Sequence, residues 1–516
     1  MLKKSPKQLS LYSILYDKIP ENHILKVINS TVDFSFINKL LEDSYSKKMG
    51  RPAKEPEMMA KLLILQYLYN LSDVKIIEEV SLNLAYMWFI GVNPDEELPE
   101  ASLLAKFRTQ RLKDTSVDDI IQEVIRQCIE KGIIKSNGLS IDATHTAANT
   151  TKKVPERIMK HLAKKIFKTI EKEHGEIPSE INTNIPDYKS IEDHKEAKNV
   201  MKAYLETVIA KVQEDTSLSD MPQTRDAIAE ATKIISDEKF ILQKGLRSLV
   251  DKDARVGYKS KTDSFFGYKV EFAMIPEERI ITAVETSDGA YVDGNKFEDL
   301  YKRTKASSFD IKEFYGDKAY FRKPILDILK EDKVEAIIPI SASVYKIDDT
   351  KFSYNKDSDQ WFCDMGNYTV AKKCRQQKNR AAMLTYTFDK EFCMSCPNRE
   401  QCIGGKSKVK RLSVGINAGE YYEYGQRANT TAFKEKYKKR ASHEWKNGEM
   451  KRFHGLDRAR GYGLKSMSMQ AKLTALAVNL KRIAALVSFC LAYFKQTFYS
   501  IKTLSWIAMR QADYAA

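Results

Sequence analysis

Cysteine is sparse: seven in 516 residues, an odd number gathered mostly late in the chain. That pattern argues against a disulfide framework. No sustained apolar core follows Lys3, Lys4 and Lys7, so nothing near the first residue reads as a secretory signal. Long apolar runs are also missing. The best candidate, Ile483 to Phe494, makes roughly 18 Å of helix against a hydrocarbon layer of roughly 30 Å. It predicts a core helix of a cytoplasmic protein rather than a membrane span. Acidic residues are outnumbered, 70 Asp and Glu against 85 Lys and Arg, which leaves a net charge of +15. Such an excess favours a polyanionic partner, nucleic acid before an anionic membrane surface. The length suffices for a large core and predicts two or three domains.

From Met1 to about Arg111 the pattern is helical. Between Pro56 and Leu71, the residues Met58, Leu62, Leu63 and Gln66 recur at three- and four-residue steps, as a buried helix requires. Ser72 and Asp73 offer an N-cap for a second helix. A third apolar stretch, Leu82 to Val92, leads to the basic Lys106, Arg108, Arg111 and Lys113. Compact helices followed by a basic helix suit a helix-turn-helix-like DNA binder.

After a linking helix, Leu139 to His145 alternates as a strand does, with Ser140, Asp142 and Thr144 on one face. Residues 152–249 are rich in lysine and glutamate and predict a helical hairpin inserted after that strand. From Asp253 the texture turns to strands. Phe265 to Ile275 and Arg279 to Thr286 read as a hairpin around Pro276, Glu277 and Glu278. A helix over 288–305, a strand over 309–315 ending in Gly316-Asp317-Lys318-Ala319-Tyr320, a helix from Lys323 and a strand over 334–340 complete an α/β unit. A segment holding Cys363, Cys374, Cys393, Cys396 and Cys402 then interrupts it. Cys393 and Cys396 are spaced to bite one tetrahedral metal, and Cys402 with Cys363 or Cys374 would close a four-sulfur structural zinc site; reduced, unligated cysteines are the alternative. Lys406, Lys408, Lys410 and Arg411 follow.

The stretch Tyr437 to Lys451 is dominated by helix formers. At about 100° per residue, Tyr437 at zero puts Arg440 near 300°, Glu444 near 340° and Lys451 near 320°. Glu449 lands on the far side. One carboxylate is thus flanked by two cations and a phenol, a face suited to a divalent metal and to phosphates.

The spacing Y-x2-R-x3-E-x6-K resembles the C-terminal signature of bacterial insertion-sequence transposases of the DDE type, and Tyr437, Arg440, Glu444 and Lys451 match all four positions. His454-Gly455-Leu456 and Asn479-Leu480-Lys481-Arg482 resemble that family too. Ile141-Asp142-Ala143-Thr144 is similar to the family's first catalytic strand and Gly316-Asp317-x-Ala319-Tyr320 to its second, with Ala319 where the family often has Gly. The resemblance implies a ribonuclease H-like catalytic core with Asp142, Asp317 and Glu444 as catalytic ligands of two Mg2+ ions, Mn2+ being able to substitute. Tyr437, Arg440 and Lys451 would contact DNA. The implied division is a helical DNA-binding domain over 1–115, a linker and first strand over 116–150, and a helical insertion over 151–250. The core follows over 251–345, a cysteine-containing insertion over 346–412, the rest of the core over 413–495 and a tail over 496–516.

The activity implied is metal-dependent cleavage at transposon ends and strand transfer into target DNA. Its partners would be terminal inverted repeats and target DNA, with a homodimer assembled on the ends and no membrane, in the bacterial cytoplasm at the nucleoid. Two other readings fit the same residues: a domesticated DNA-binding protein without chemistry, and a metal-dependent nuclease that cuts without joining.

Overall fold

The computed structural model describes residues 10–46, 52–237, 240, 246–260, 262–376, 382–403 and 407–513, with side chains as far as Cys490. Lys3, Lys4, Lys7, Gly50, Arg51 and Lys406 lie outside them.

Six short helices open the described chain: α1 (Ile24–Thr31), α2 (Phe36–Leu40), α3 (Pro56–Leu68), α4 (Asp73–Leu82), α5 (Leu84–Ile90) and α6 (Ala101–Lys106). Pro56 starts α3, where a missing N–H costs nothing. Nearly every residue of α3 is buried, so this helix is the hub of the layer rather than an amphipathic surface helix. Ser72 caps α4 by accepting from the Lys75 N–H at 3.2 Å, and Asn83 caps α5 through the Ala85 N–H at 2.9 Å. Gly91 ends α5 in the left-handed conformation, φ 75°. The basic stretch that follows is partly engaged inside the protein: Arg108 donates to Asp73 at 2.9 Å, and Arg111 stacks on Tyr45 at 4.7 Å while donating to the Ser44 carbonyl.

Helix α7 (Asp114–Glu130) leads into β1 (Gly138–Ala147). Strands β2 (Arg255–Tyr258), β3 (Ser264–Ile275), β4 (Ile280–Asp288), β5 (Glu313–Tyr315) and β6 (Glu335–Ile337) complete a six-stranded mixed sheet. Its order is β2-β3-β1-β5-β6, with β4 also paired to β3. β3 runs antiparallel to β1, β2 and β4, whereas β1, β5 and β6 are parallel. Gly267 is required where β3 crosses the end of β1, because a Cβ there would lie 2.1 Å from the Thr146 carbonyl oxygen. Helices α12 (Phe297–Ala306) and α13 (Lys323–Glu331) make the parallel crossovers.

One apolar core runs from the N-terminal helices through the sheet to the closing helix. Between β1 and β2 the chain leaves the sheet for α8 (Pro155–His174), α9 (His194–Glu214), α10 (Thr216–Ser219) and α11 (Pro222–Ile235). Among the described residues these four helices stand where a hairpin was expected, and they bury a core of their own around Ile166, Leu205 and Val208. The cysteine-containing segment is also built on its own core, centred on fully buried Trp361. It holds the hairpin β7 (Phe352–Asn355) and β8 (Gln360–Cys363), the sheet β9 (Thr369–Arg375), β10 (Met383–Phe388) and β11 (Arg411–Gly415), and helices α14 (Lys390–Ser395) and α15 (Arg399–Ile403).

The chain closes with α16 (Ala418–Ala428), α17 (Thr431–Tyr437), α18 (Ser442–His454) and α19 (Leu464–Asp513). Two expectations change here. Tyr437 to Lys451 is not one α-helix, because a 3-10 turn over Lys438–Ala441 separates α17 from α18. Of the core helix expected over 483–494, the side chains are described as far as Cys490; among these Ile483 and Ala484 are buried, and Phe489 is 73% exposed. The buried stretch lies upstream, from Met467 through Leu480, where β4 and the N-terminal helices supply the covering surface. By length and composition 464–490 could cross a membrane, yet just over half of its most apolar window, 56%, is buried inside the protein. The backbone of α19 continues through the segment expected as a tail, to Asp513.

Asn479, fully buried on α19, accepts from the Ile281 N–H and donates to the Ile281 carbonyl, each at 2.7 Å. It completes the ladder of β4 where a register shift interrupts the pairing with β3. Asn479→Ala leaves both backbone groups unpaired in the core and is expected to cost about 2–4 kcal/mol. Urea unfolding of the variant against Asn479→Gln measures this.

Candidate active site

The parallel ladder between β1 and β5 ends at the pair Ser140 and Tyr315. Two residues further on stand Asp142, within β1, and Asp317, just past the end of β5 where it caps a 3-10 turn. Asp142 Oδ1 accepts from the Ala143 N–H at 2.9 Å. Asp317 caps the 3-10 turn Lys318–Tyr320 by accepting from the Ala319 N–H at 2.8 Å. The small residue at 319 thus lies directly against the carboxylate.

Electrostatics couple the two acids. Burial pushes the Asp142 carboxyl up to about 6; the Arg440 guanidinium and the Ala143 N–H pull against that, while the negative charge of Asp317 adds to it. Arg440 Nη2 donates to Asp142 Oδ2 at 2.9 Å. Arg440 stands in the 3-10 turn Lys438–Ala441 that precedes α18. Arg440 Nε is buried without a partner among the described residues. Tyr437, half-buried at the end of α17, packs on the cluster of Tyr315, Ile337 and Phe433, and the charges of Arg440, Asp317 and Asp142 all act on its phenol.

Glu444 stands on the first turn of α18 and is exposed. Its neighbour His443 is fully buried, its ring 4.8 Å from that of Phe272, the residue paired with Asp142 across the sheet. The helix is therefore pinned on the sheet one residue before Glu444. Lys451, two turns later, stands 3.5 Å from His145 Nδ1. Burial, then the charge of Lys259, pushes the Lys451 ammonium down to about 8, against the pull of Asp457. His145 rests on Phe265, ring centroids 5.0 Å apart, and burial pushes its imidazole down to about 4.

The structure thus brings together Asp142, Asp317, Arg440 and Tyr437; Glu444 and Lys451 lie on the adjoining helix. Among the described residues, no three His, Cys, Asp or Glu side chains are drawn close enough to chelate a metal. Of the five clustered cysteines, Cys363, Cys393, Cys396 and Cys402 line one cavity of about 170 Å3. Cys374 stands on β9, exposed and paired with Leu384.

Glu271 is a feature the sequence did not single out. It occupies β3 opposite Ala143, is 2% exposed and accepts from the Gly294 N–H at 2.9 Å and from the Tyr320 hydroxyl. The spacing of Tyr320 after Asp317 was visible, but a glutamate within an apolar strand announces no partner.

The described geometry can be set beside known proteins. A family model for a transposase domain matches residues 13–110, and one for a transposase DDE domain matches residues 362–484. The second includes Tyr437, Arg440, Glu444 and Lys451. No curated protein matches the chain. A cryo-EM structure of a piggyBac transposase synaptic complex with hairpin DNA aligns with 90% of this chain and 75% of that one, at 10% identity and a TM-score of 0.29.

Glu449, on the far side of α18, joins Lys446 at 2.9 Å and Lys481 at 3.2 Å. Lys446 is all but fully buried, its side chain 1% exposed. Glu449→Ala strands that ammonium and is expected to destabilise the protein by about 3–5 kcal/mol. Glu444→Ala, on the exposed side, should leave stability within about 0.5 kcal/mol. Chemical denaturation of the two variants separates a structural acid from one free to act.

Proposed function

The chain is a DNA transposase of the DDE type, and from that premise we propose that Asp142, Asp317 and Glu444 are its catalytic acids. The observation that carries this reading is that Asp142, on β1, and Asp317, just past the end of the neighbouring β5, act on one another through their charge, with α18 packed on Phe272 beside Asp142. The spatial strand order β4-β3-β1-β5-β6, with two antiparallel pairings followed by two parallel ones, supports a ribonuclease H-like core.

The donor set fits a hard divalent cation such as Mg2+, with Mn2+ as a substitute: all three groups are carboxylates, and a buried Asp142 already attracts a cation, the Arg440 guanidinium. When bound, a pair of such ions activates water or a 3'-hydroxyl and neutralises the leaving oxygen. Asp142 and Asp317 supply fixed ligands from the sheet. Glu444 would supply a third from the exposed first turn of α18. Arg440, whose Nε is unpartnered, offers a planar fork to a phosphate at the scissile bond. Lys451 adds a point charge, and Tyr437 a ring beside the terminal nucleotides. The helices over 1–115 bind the element's inverted repeats, and a homodimer forms on paired ends in a bacterial cytoplasm. The cysteine segment holds one structural zinc through Cys393, Cys396, Cys402 and Cys363, a choice supported by their shared cavity and by the Asn367 Nδ2 donor 3.2 Å from Cys393 Sγ.

Asp142→Asn, Asp317→Asn and Glu444→Gln are each expected to abolish Mg2+-dependent cleavage and joining of a labelled duplex carrying the inverted repeat, with binding of that duplex retained. Wild-type cleavage by any one of them overturns its assignment. Cleavage without strand transfer in the unaltered protein would make it a nuclease only. Arg440→Lys should slow single-turnover cleavage more than about tenfold, because one point charge replaces a bidentate fork. Elemental analysis of protein purified without chelator should find one zinc per chain, lost in Cys363→Ser and kept in Cys374→Ser.

A further inference from the structure

The turn that carries Asp317 is held by a buried clasp. Glu271 Oε1 accepts from the Tyr320 hydroxyl and from the Gly294 N–H, and Oε2 faces the Tyr291 hydroxyl at 3.3 Å. Arg322 ties the same pieces together from the other side. It donates to the Ala319 carbonyl at 2.8 Å, to the Asp293 carbonyl at 2.6 Å and to Asn295 Oδ1 at 2.6 Å. Lys269, two residues before Glu271 on β3, holds Asp293 at 2.8 Å. The loop 289–296 and the turn 316–322 are thus locked to the middle of β3 at the level of Asp142. Gly294 has φ 84°, and a Cβ there would meet the Tyr320 ring at 3.5 Å, so the loop sits flush against that ring.

Neither Glu271 nor Tyr320 reaches solvent as a nucleophile would: they are 2% and 1% exposed. Its effect falls on Asp317, three residues before Tyr320, whose carboxylate is aimed by the 3-10 turn that Tyr320 ends. β5 is only three residues long and pairs with β1 through three residues, so the ladder alone leaves the turn weakly fixed. Metal ligands depend on such outer hydrogen bonds for their orientation.

We propose that Glu271 and Tyr320 are positioning residues that fix the Asp317 carboxylate against Asp142, so that metal affinity depends on their hydrogen bond. The proposal rests on the assignment of Asp142 and Asp317 as metal ligands. Tyr320→Phe removes one hydroxyl and keeps the ring, and Glu271→Gln keeps the shape. Tyr301→Phe is the control, since Tyr301 is also buried and donates to a carboxylate, Asp332, at 2.8 Å away from the site. Mn2+ binding to the full DNA-free chain is followed by the electron paramagnetic resonance of free Mn2+, and the Mg2+ dependence of single-turnover cleavage is measured alongside.

Tyr320→Phe and Glu271→Gln are expected to raise the metal concentration for half-saturation at least fivefold in both assays, with Tyr301→Phe like wild type despite a similar loss of melting temperature. Unchanged metal dependence in Tyr320→Phe overturns the proposal, whether or not Glu271→Gln folds. An equal shift in Tyr301→Phe also overturns it, since general loosening would then explain the effect. Asp317→Asn separates the two levels: if it binds Mn2+ as wild type does, the ligand assignment itself fails. If Asp317→Asn weakens binding and Tyr320→Phe does not, only the clasp fails.

Discussion

The arrangement of the site depends on the register of one short parallel ladder. With Ser140 opposite Tyr315, the acids two residues further on, Asp142 and Asp317, come near enough for the charge of one to act on the other. A shift of one residue would turn Asp317 to the opposite face and leave Asp142 with Arg440 alone. Three paired residues cannot hold such a register unaided. It is reinforced by the long β1–β3 pairing on one side and by buried Tyr315, Ile337 and Phe433 on the other.

The second constraint is charge. Two acids in a largely buried setting repel, and burial already disfavours ionisation of Asp142. Arg440, in the 3-10 turn between α17 and α18, offsets both effects.

How much of this was legible in the sequence depends on whether a residue's role is local. Asp142 and Asp317 could be placed because strand alternation and short motifs are local signals, as was the Ser72 cap. The interruption at Lys438–Ala441 was not legible, since lysine, arginine and alanine favour α and 3-10 geometry alike, and the deciding partner, Asp142, is distant in sequence. Lys446 pairs with Glu449 one turn on along the same helix, but Glu449 also pairs with Lys481 of α19, a contact distant in sequence that the texture of α18 did not announce. The hairpin expected after the first strand became four helices because Pro222 and the capping acids Asp193 and Asp215 start new helices within one lysine-rich texture. Among the cysteines, spacing left Cys363 and Cys374 equivalent, and only the β7–β8 hairpin turns one of them toward the other three.

The four-helix excursion leaves the sheet after β1 and comes back before β2, and at its neck Lys153 and Arg247 exchange two backbone hydrogen bonds, at 2.6 and 3.2 Å. This changes the order in which the sheet can be made. Strands β1 and β3 pair through eight residues, yet a whole helical unit is synthesised between them. If the excursion were an open loop, its closure would weigh on every pairing event. Folded first on its own core, it presents its two ends side by side, and the sheet then sees a connection only a few residues long. The insertion thereby lowers the effective contact order of the catalytic core, and the rate at which Asp142 meets Asp317 becomes tied to the folding of helices that touch neither.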